Sequence, residues 1–259
     1  MQFCQLTGGS FSLNVTVIVP TYNEIENITD LVTQILALPI DARVIVVDDN
    51  SPDGTGDTAD TLAAENSRVA VIHRAGKLGL GTAYIAGFKK ALADGADLVC
   101  TMDADFSHHP KYIPAMVELA KTHHVTIGSR YVPGGGVENW EWYREFLSWG
   151  ANHFARLMLG LRAHDCTAGF RCYRRTVLEN IDLDAIFSNG YSFLVEMAYK
   201  CQRMGCTFGE TPIIFANRAR GTSKISQQEI FKAMYTVARL TFSRLRFWRR
   251  SAVRIAPVN

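Results

Sequence analysis

The sequence predicts an α/β fold, a mostly parallel sheet with helices on both faces. Three observations predict it. Short β-branched runs alternate with amphipathic stretches of helical length from residue 15 to residue 128. Three of those runs end in polar or acidic clusters, and the 259 residues are 47% hydrophobic, enough for one large core. No internal repeat, low-complexity tract or linker divides the chain.

Val15 to Val19 is a buried strand that stops at Pro20. Asn23 is placed to cap the next helix, whose Ile28, Leu31, Val32, Ile35 and Leu36 share one face. A second strand, Arg43 to Val47, runs into Asp48-Asp49. The turn Asn50-Ser51-Pro52-Asp53-Gly54 then opens a helix over Thr55 to Glu65. Val69 to Ile72 is a third strand, Gly79 to Ala93 a helix, and Asp97 to Met102 a fourth strand ending in Asp103-Ala104-Asp105. A further strand spans Val125 to Gly128. Beyond it, Pro133-Gly134-Gly135-Gly136 with Trp140 and Trp142 reads as a mobile loop flanked by aromatic residues. A helix carrying Phe146, Leu147, Trp149, Phe154, Leu157 and Met158 follows, then a strand from Thr207 to Phe215 and a last helix.

In parallel sheets of this kind ligands bind beyond the carboxyl ends of the strands. Pro20-Thr21-Tyr22-Asn23-Glu24, Asp48-Asp49-Asn50 and Asp103-Ala104-Asp105 all fall on that rim. Asp103 and Asp105 would repel unless a cation lay between them. Their hard oxygens suit Mg²⁺ or Mn²⁺ bridging a diphosphate, an ion that stabilises a departing nucleotide. Of Asp48 and Asp49, one suits a nucleobase and the other the turn. Glu24 reads equally as a first-turn helix acid or as a donor-site residue.

Several classes are excluded. No GxGxxG follows the first strand and no GxxxxGK[ST] occurs, which sets aside a dinucleotide oxidoreductase and a phosphate-loop ATPase. The glycine-rich Gly76-Lys77-Leu78-Gly79-Leu80-Gly81 follows the third strand and reads as a helix entry. The six cysteines form no CxxC pair and no zinc spacing, so reduced structural thiols are expected. Residues 1–13 lack the basic start and apolar stretch of a secretory signal and read as a flexible leader. No run of 18 apolar residues predicts a spanning helix.

Charge is uneven. Lys and Arg number 27 against 25 Asp and Glu, yet seven of the basic residues and no acid lie between 230 and 259. The rest of the chain therefore holds 20 basic against 25 acidic residues. The last helix places Phe231, Met234, Tyr235, Ala238, Phe242 and Leu245 near one face, part of it expected to pack on the body. The arginine cluster around Trp248 suits an anionic bilayer surface, and no nucleic-acid module is visible. Arg218-Ala219-Arg220-Gly221-Thr222-Ser223-Lys224, just before that helix, is a basic loop suited to clamping phosphates.

These motifs resemble a known family. Val17-Ile18-Val19-Pro20-Thr21-Tyr22-Asn23-Glu24, Val46-Val47-Asp48-Asp49-Asn50-Ser51-Pro52-Asp53-Gly54-Thr55 and Met102-Asp103-Ala104-Asp105 resemble the GT-A domain of family 2 glycosyltransferases. Ser107-His108-His109-Pro110, Gly128-Ser129-Arg130-Tyr131, Thr167-Ala168-Gly169-Phe170-Arg171 and Arg218…Gly221-Thr222-Ser223-Lys224 are similar, within it, to polyprenyl-phosphate (dolichol-phosphate) mannose synthases. The resemblance runs from about Val15 to about Leu245 and implies a GT-A domain over 14–246 and a basic tail over 247–259. It implies that Pro20, Tyr22, Glu24 and Asp49 hold the nucleoside of GDP-mannose, while Asp103 and Asp105 take the metal and diphosphate. On that resemblance Asp105 would be the direct ligand. Some relatives carry a glutamine ligand where Ser107 stands, and the serine departs from that pattern, leaving the position to water. Arg130, Arg144 and Ser148 would hold the lipid phosphate, and Arg218 and Lys224 would close over the donor. The loop Pro133 to Trp142 would be the acceptor lid, with amphipathic interfacial segments over about 131–162.

The implied reaction is inverting transfer of mannose from GDP-mannose to a polyprenyl phosphate, by a chain peripheral on the cytoplasmic face of a membrane. A separate membrane-anchor protein is compatible with it. Two alternatives stay open: a glucosyltransferase using UDP-glucose, and a catalytically silent membrane-peripheral subunit.

Overall fold

The computed structural model describes residues 13–217, 227–246 and 255–258. In chain order the first elements are β1 (Val15–Thr21), α1 (Ile25–Leu36), β2 (Ala42–Asp48), α2 (Thr55–Glu65), β3 (Val69–His73), α3 (Leu80–Ala93) and β4 (Leu98–Thr101). A turn of 3₁₀ helix precedes α4 (Ile113–Leu119), followed by β5 (Val125–Ser129), β6 (Gly136–Glu138) and α5 (Trp142–Leu159). The chain closes with β7 (Arg171–Arg174), α6 (Arg175–Asn180), α7 (Tyr191–Arg203), β8 (Phe208–Pro212), β9 (Ile214–Ala216) and α8 (Gln227–Arg246).

Seven strands form the main sheet in the order β3-β2-β1-β4-β7-β5-β8. Neighbours are parallel except around β7, which runs antiparallel to both β4 and β5. The expected mostly parallel α/β architecture is thus what the chain adopts. Because side chains alternate along a strand, β1 and β2 feed two cores. Val17, Val19, Val44 and Val46 join Ile28, Leu31 and Met116 on one face, while Ile18, Ile45 and Val47 join Phe88, Phe193 and Met197 on the other. Gly87 lets α3 close onto β1, since a Cβ there would lie 2.5 Å from Ile18 Cγ2.

Four details differ from the sequence reading. Asn23 does not cap α1: it takes a left-handed φ of 61°, and Glu24 occupies the cap position without a side-chain cap bond. Ser51 Oγ and Asp53 instead receive the backbone N–H groups of Asn23 and Ile25, so the second strand's turn holds the start of α1. Strand β7 was not foreseen. It is four residues long and begins with Arg171, which is fully buried and donates to the carbonyls of Ala168, Cys166 and Leu194. An arginine satisfied by carbonyls carries no sequence signal of burial. The expected single strand from Thr207 to Phe215 divides at buried Ile213, with β9 leaving the main sheet to pair in parallel with β6. Part of the expected mobile loop is therefore strand.

The fourth difference concerns α8. Val237 and Leu240 pack with Ala155, Leu159, Val195 and Tyr199, whereas Met234, Tyr235, Ala238 and Phe242 of the anticipated packing stripe face outward. The side chains of Phe231 and Leu245 lie outside the described residues. Further on, residues 255–258 rest against the body, with Ile255 N–H donating to the Met204 carbonyl and His124 Nε2 bonded to the Ala256 carbonyl. The five described cysteines are free and buried. Among the described residues, no helix is long and apolar enough to cross a membrane.

Candidate active site

Three backbone features mark one rim of the sheet. Asn23 after β1, Asn50 after β2 and Phe106 after β4 all have φ near +60°, a conformation that bulky residues such as Phe106 rarely adopt. Each sits where a strand ends and the chain must turn sharply to free the polar residues beside it.

At the end of β2 the two aspartates divide their work. Asp48 accepts from Thr21 Oγ1 at 2.9 Å and from the backbone and hydroxyl of Ser51, so it ties the turn. Asp49 pairs instead with Arg74 Nη1 at 2.8 Å. Burial raises the Asp49 carboxyl above its usual value, with Arg74 opposing the shift. Lys77 lies over the Tyr22 ring at 4.4 Å. Tyr22, Asp49, Arg74 and Lys77 thus form one polar, ring-faced edge. Pro20 lies one residue before the end of β1, and Glu24 accepts from Asn27 Nδ2 while its N–H donates to Thr55 Oγ1.

Beyond β4, Asp105 is buried and its Oδ1 accepts the Ser107 N–H at 3.0 Å. Asp103 is partly exposed and accepts from the Tyr84 hydroxyl at 3.3 Å. Burial, then the Asp103 charge, keeps that phenol protonated well above its ordinary range. His108 is buried between Phe170 and Phe215, with the charges of Asp103, Asp105, Arg130 and Asp165 all acting on it. Burial dominates and lowers its pKa, against the pull of the neighbouring carboxylates. This histidine is the junction of the acidic rim and the first of the candidate arginines. Ser107 is buried like Asp105, and its N–H donates to the Asp105 carboxylate.

Among the described residues, no group of three or more His, Cys, Asp or Glu side chains could hold a metal alone. One or two carboxylates completed by phosphate oxygens and water are what Mg²⁺ or Mn²⁺ commonly takes. The Asp103 and Asp105 oxygens fit an ion that arrives with a diphosphate.

Just past β5, whose carboxyl end lies on the same sheet edge as that of β4, Arg130 forms a two-pronged pair with Asp165, Nε to Oδ2 at 2.8 Å and Nη2 to Oδ1 at 2.9 Å. Thr167 Oγ1 takes a further Nη2 bond at 2.8 Å. Burial works against both charges, but Arg130 holds Asp165 below the usual carboxylate range and Asp165 in turn raises Arg130. Glu210 braces the assembly by accepting the backbone N–H of His164 and of Asp165. Ser148 Oγ meets the Tyr131 hydroxyl at 2.9 Å, and Arg144 stacks over Trp140 at 4.3 Å. Tyr131, Trp142, Glu145, Phe146 and Trp149 line an open cleft beside them.

Helix α5 has its apolar side turned outward. Asn152, Ala155 and Leu159 are buried, while Trp142, Phe146, Leu147 and Leu157 are 79, 63, 60 and 74% exposed. Contiguous exposed apolar side chains of this kind are in general a mark of interaction surfaces.

The structure therefore gathers Pro20, Tyr22, Glu24, Asp49, Asp103, Asp105 and Arg130 along the carboxyl ends of the parallel strands, with Arg144 and Ser148 on α5. Arg218 and Lys224 lie outside the described residues. Sequence reasoning missed Arg74, Lys77, Tyr84, His108 and Asp165 as individual contributors. Arg74 could have been suspected as the first charged residue past β3. Asp165 had no visible signal, because its partner is 35 residues away.

A family model, "Glycosyl transferase family 2", matches residues 16–182. The chain is 47% identical over 227 residues to an undecaprenyl-phosphate mannosyltransferase of Micrococcus luteus, covering 88% of this chain and 93% of the relative. It is 46% identical over 224 residues to a polyprenol monophosphomannose synthase of Mycolicibacterium smegmatis, covering 86% and 84%. Among solved structures, glucosyl-3-phosphoglycerate synthase of Mycobacterium tuberculosis with phosphoglyceric acid superposes with a TM-score of 0.64 at 18% identity, covering 89% of this chain and 80% of the other. The same enzyme with Mn²⁺, UDP and glucosyl-3-phosphoglycerate gives 0.62 at 17% identity and the same coverage. These likenesses in structure bear on the fold.

Proposed function

The chain belongs to glycosyl transferase family 2, and from that premise we propose that it transfers mannose from GDP-mannose to a polyprenyl monophosphate with inversion, yielding polyprenyl phosphate β-mannose and GDP. The observation that carries this reading is the acidic strand end of Asp103 and Asp105 beside a lobe bearing Arg130 and Arg144, with His108 under the charges of both aspartates and Arg130. The two relatives of nearly half-identical sequence carry names for mannosyl transfer to a polyprenyl phosphate, which supports the same substrates here.

On this reading Tyr22 and Lys77 flank the nucleoside, and Asp49 accepts hydrogen bonds from the base. Guanine offers a carboxylate two adjacent N–H donors and uracil offers one, which favours GDP over UDP. Asp105, with Asp103, would hold Mg²⁺ or Mn²⁺, and such an ion would supply positive charge to the leaving diphosphate. Arg218 and Lys224 add positive charge to the donor phosphates. Arg130, Arg144 and Ser148 aim the lipid phosphate at the anomeric carbon.

No general base is needed. A phosphate monoester has a second pKa of about 6 and arrives ionised, so the residues place charges and move no proton. A single displacement forms the bond from phosphate oxygen to the anomeric carbon as the bond to GDP breaks, inverting that centre. The outward apolar faces of α5 and α8 and the basic residues beyond Ile230 attach the chain peripherally to the cytoplasmic face of a membrane, where its acceptor resides. A separate membrane-anchor protein would add to that attachment.

The test is product analysis with labelled GDP-mannose or UDP-glucose, a short polyprenyl phosphate and Mg²⁺ or Mn²⁺. The expected product is a β-mannosyl phosphodiester formed from GDP-mannose. Preferential glucose transfer would replace the donor assignment, and absence of both transfer and nucleotide-sugar binding would leave a silent subunit.

A further inference from the structure

The two arginines of the acceptor lobe are connected to each other. Arg144 stacks over Trp140, and Trp140 meets the Phe215 ring edge-on with centroids 5.5 Å apart. Arg130 lies over the same Phe215 ring at 5.5 Å, and His108 meets it edge-on at 5.0 Å. One aromatic ring therefore touches the acidic rim's histidine, the first arginine and the tryptophan that carries the second.

The ring is held by backbone. Phe215 stands opposite Val137 in the β6–β9 pair. Asn217, just past β9, extends that pair: its N–H donates to the Glu138 carbonyl at 3.1 Å and its Nδ2 to the Asn139 carbonyl at 3.3 Å. Its Oδ1 accepts from Arg144 Nη1 at 3.3 Å. A single asparagine thus ties the backbone of the acceptor loop to the guanidinium beside it.

We infer that Phe215 and Asn217 are positioning residues that set where Arg130 and Arg144 stand relative to the acidic rim. The inference rests on the proposed acceptor role of those arginines. Its physical basis is preorganisation. An arginine on an exposed helix loses its rotamer freedom on gripping a phosphate, which weakens binding unless neighbours already hold it. Trp140 and Asn217 hold Arg144, Asp165 holds Arg130, and Phe215 spaces the two. In-line attack tolerates little misplacement, since an error of about 1 Å costs roughly a hundredfold in rate.

The experiment compares Asn217→Ala, Phe215→Leu and Phe215→Tyr in the full chain. Asn217 is exposed, so its truncation leaves the fold intact. Asn217→Ala should raise KM for a short polyprenyl phosphate about fivefold and leave KM for GDP-mannose within about twofold. Phe215→Leu should lower kcat about tenfold and raise the acceptor KM, while Phe215→Tyr, which keeps the ring, restores both. Calorimetric affinity for GDP with Mn²⁺ should be unchanged in all three. Wild-type kcat and acceptor KM in both Asn217→Ala and Phe215→Leu, or losses falling equally on GDP affinity, would overturn the inference.

An inactive wild type would instead refute the functional reading. In that case tryptophan fluorescence titrated with the short polyprenyl phosphate still reports the lobe: weaker binding by Asn217→Ala upholds the positioning role, and equal binding rejects it.

Discussion

At the donor rim, Asp48, Asp53 and Asp105 each accept a backbone N–H from two or three residues along the chain, whereas in the acceptor lobe Arg130 and Arg144 are held by partners 35 and 73 residues distant. The rim combines such local turns with bonds between strand ends, Thr21 to Asp48 and Ile25 to Asp53 among them. The lobe is locked by tertiary pairing, through Asp165, Glu210 and the β6–β9 ribbon. A locally built site keeps its shape when distant parts change, while a site assembled at long range fails when any one partner is lost. Substitutions on the two sides should therefore fail differently.

The largest effect is expected at the rim. Asp105→Ala should lower turnover about a thousandfold or more, since it removes a proposed ligand to the ion that steadies the leaving group. The thermal transition should move far less than turnover does. Near-normal turnover with excess Mg²⁺ or Mn²⁺ would remove the aspartate from the donor site.

In the lobe the expected failure is structural first. Asp165→Asn leaves the buried Arg130 charge without its counter-ion, which typically costs about 3–5 kcal/mol. The pair's contribution is complete above about pH 4, the unfolded carboxylate range, and fades as the pH falls through the lower folded value. Wild type and variant should accordingly differ in denaturant midpoint at neutral pH and converge in strong acid. An unchanged midpoint at neutral pH would show that the lobe does not depend on this pair.

A smaller effect should follow at Leu147 and Leu157 on the outer face of α5, which do not line the cleft formed by Tyr131, Trp142, Glu145, Phe146 and Trp149. Leu147→Asp combined with Leu157→Asp should weaken sedimentation with anionic vesicles about tenfold. Transfer to a short, water-soluble acceptor should stay within about twofold of wild type. Unchanged vesicle binding would assign that face to something other than lipid.

The same contrast explains what could be read in advance. The first five strands, the mostly parallel sheet and the three polar strand ends follow from β-branched runs, turn residues and aspartates that are neighbours in the chain. Asp103 and Asp105 were visible because the turn that fixes them is part of their motif. Asp165, Phe215 and Asn217 were not, since their importance arises only when β7, β8 and β9 bring distant segments together. The burial of Arg171 was hidden for a related reason: it is satisfied by carbonyls, which no side-chain pattern announces. The outward stripe of α8 shows a limit of periodicity. It identifies an apolar face but not which face meets the body.

The division between rim and lobe is tested most directly by calorimetric titration of GDP, with Mn²⁺ present, into the double variant Arg130→Gln, Arg144→Gln. The predicted result is nucleotide affinity within about twofold of wild type, together with loss of mannose transfer to polyprenyl phosphate. Nucleotide affinity that collapses along with transfer would show that these arginines serve the donor, and that the two halves of the site are one.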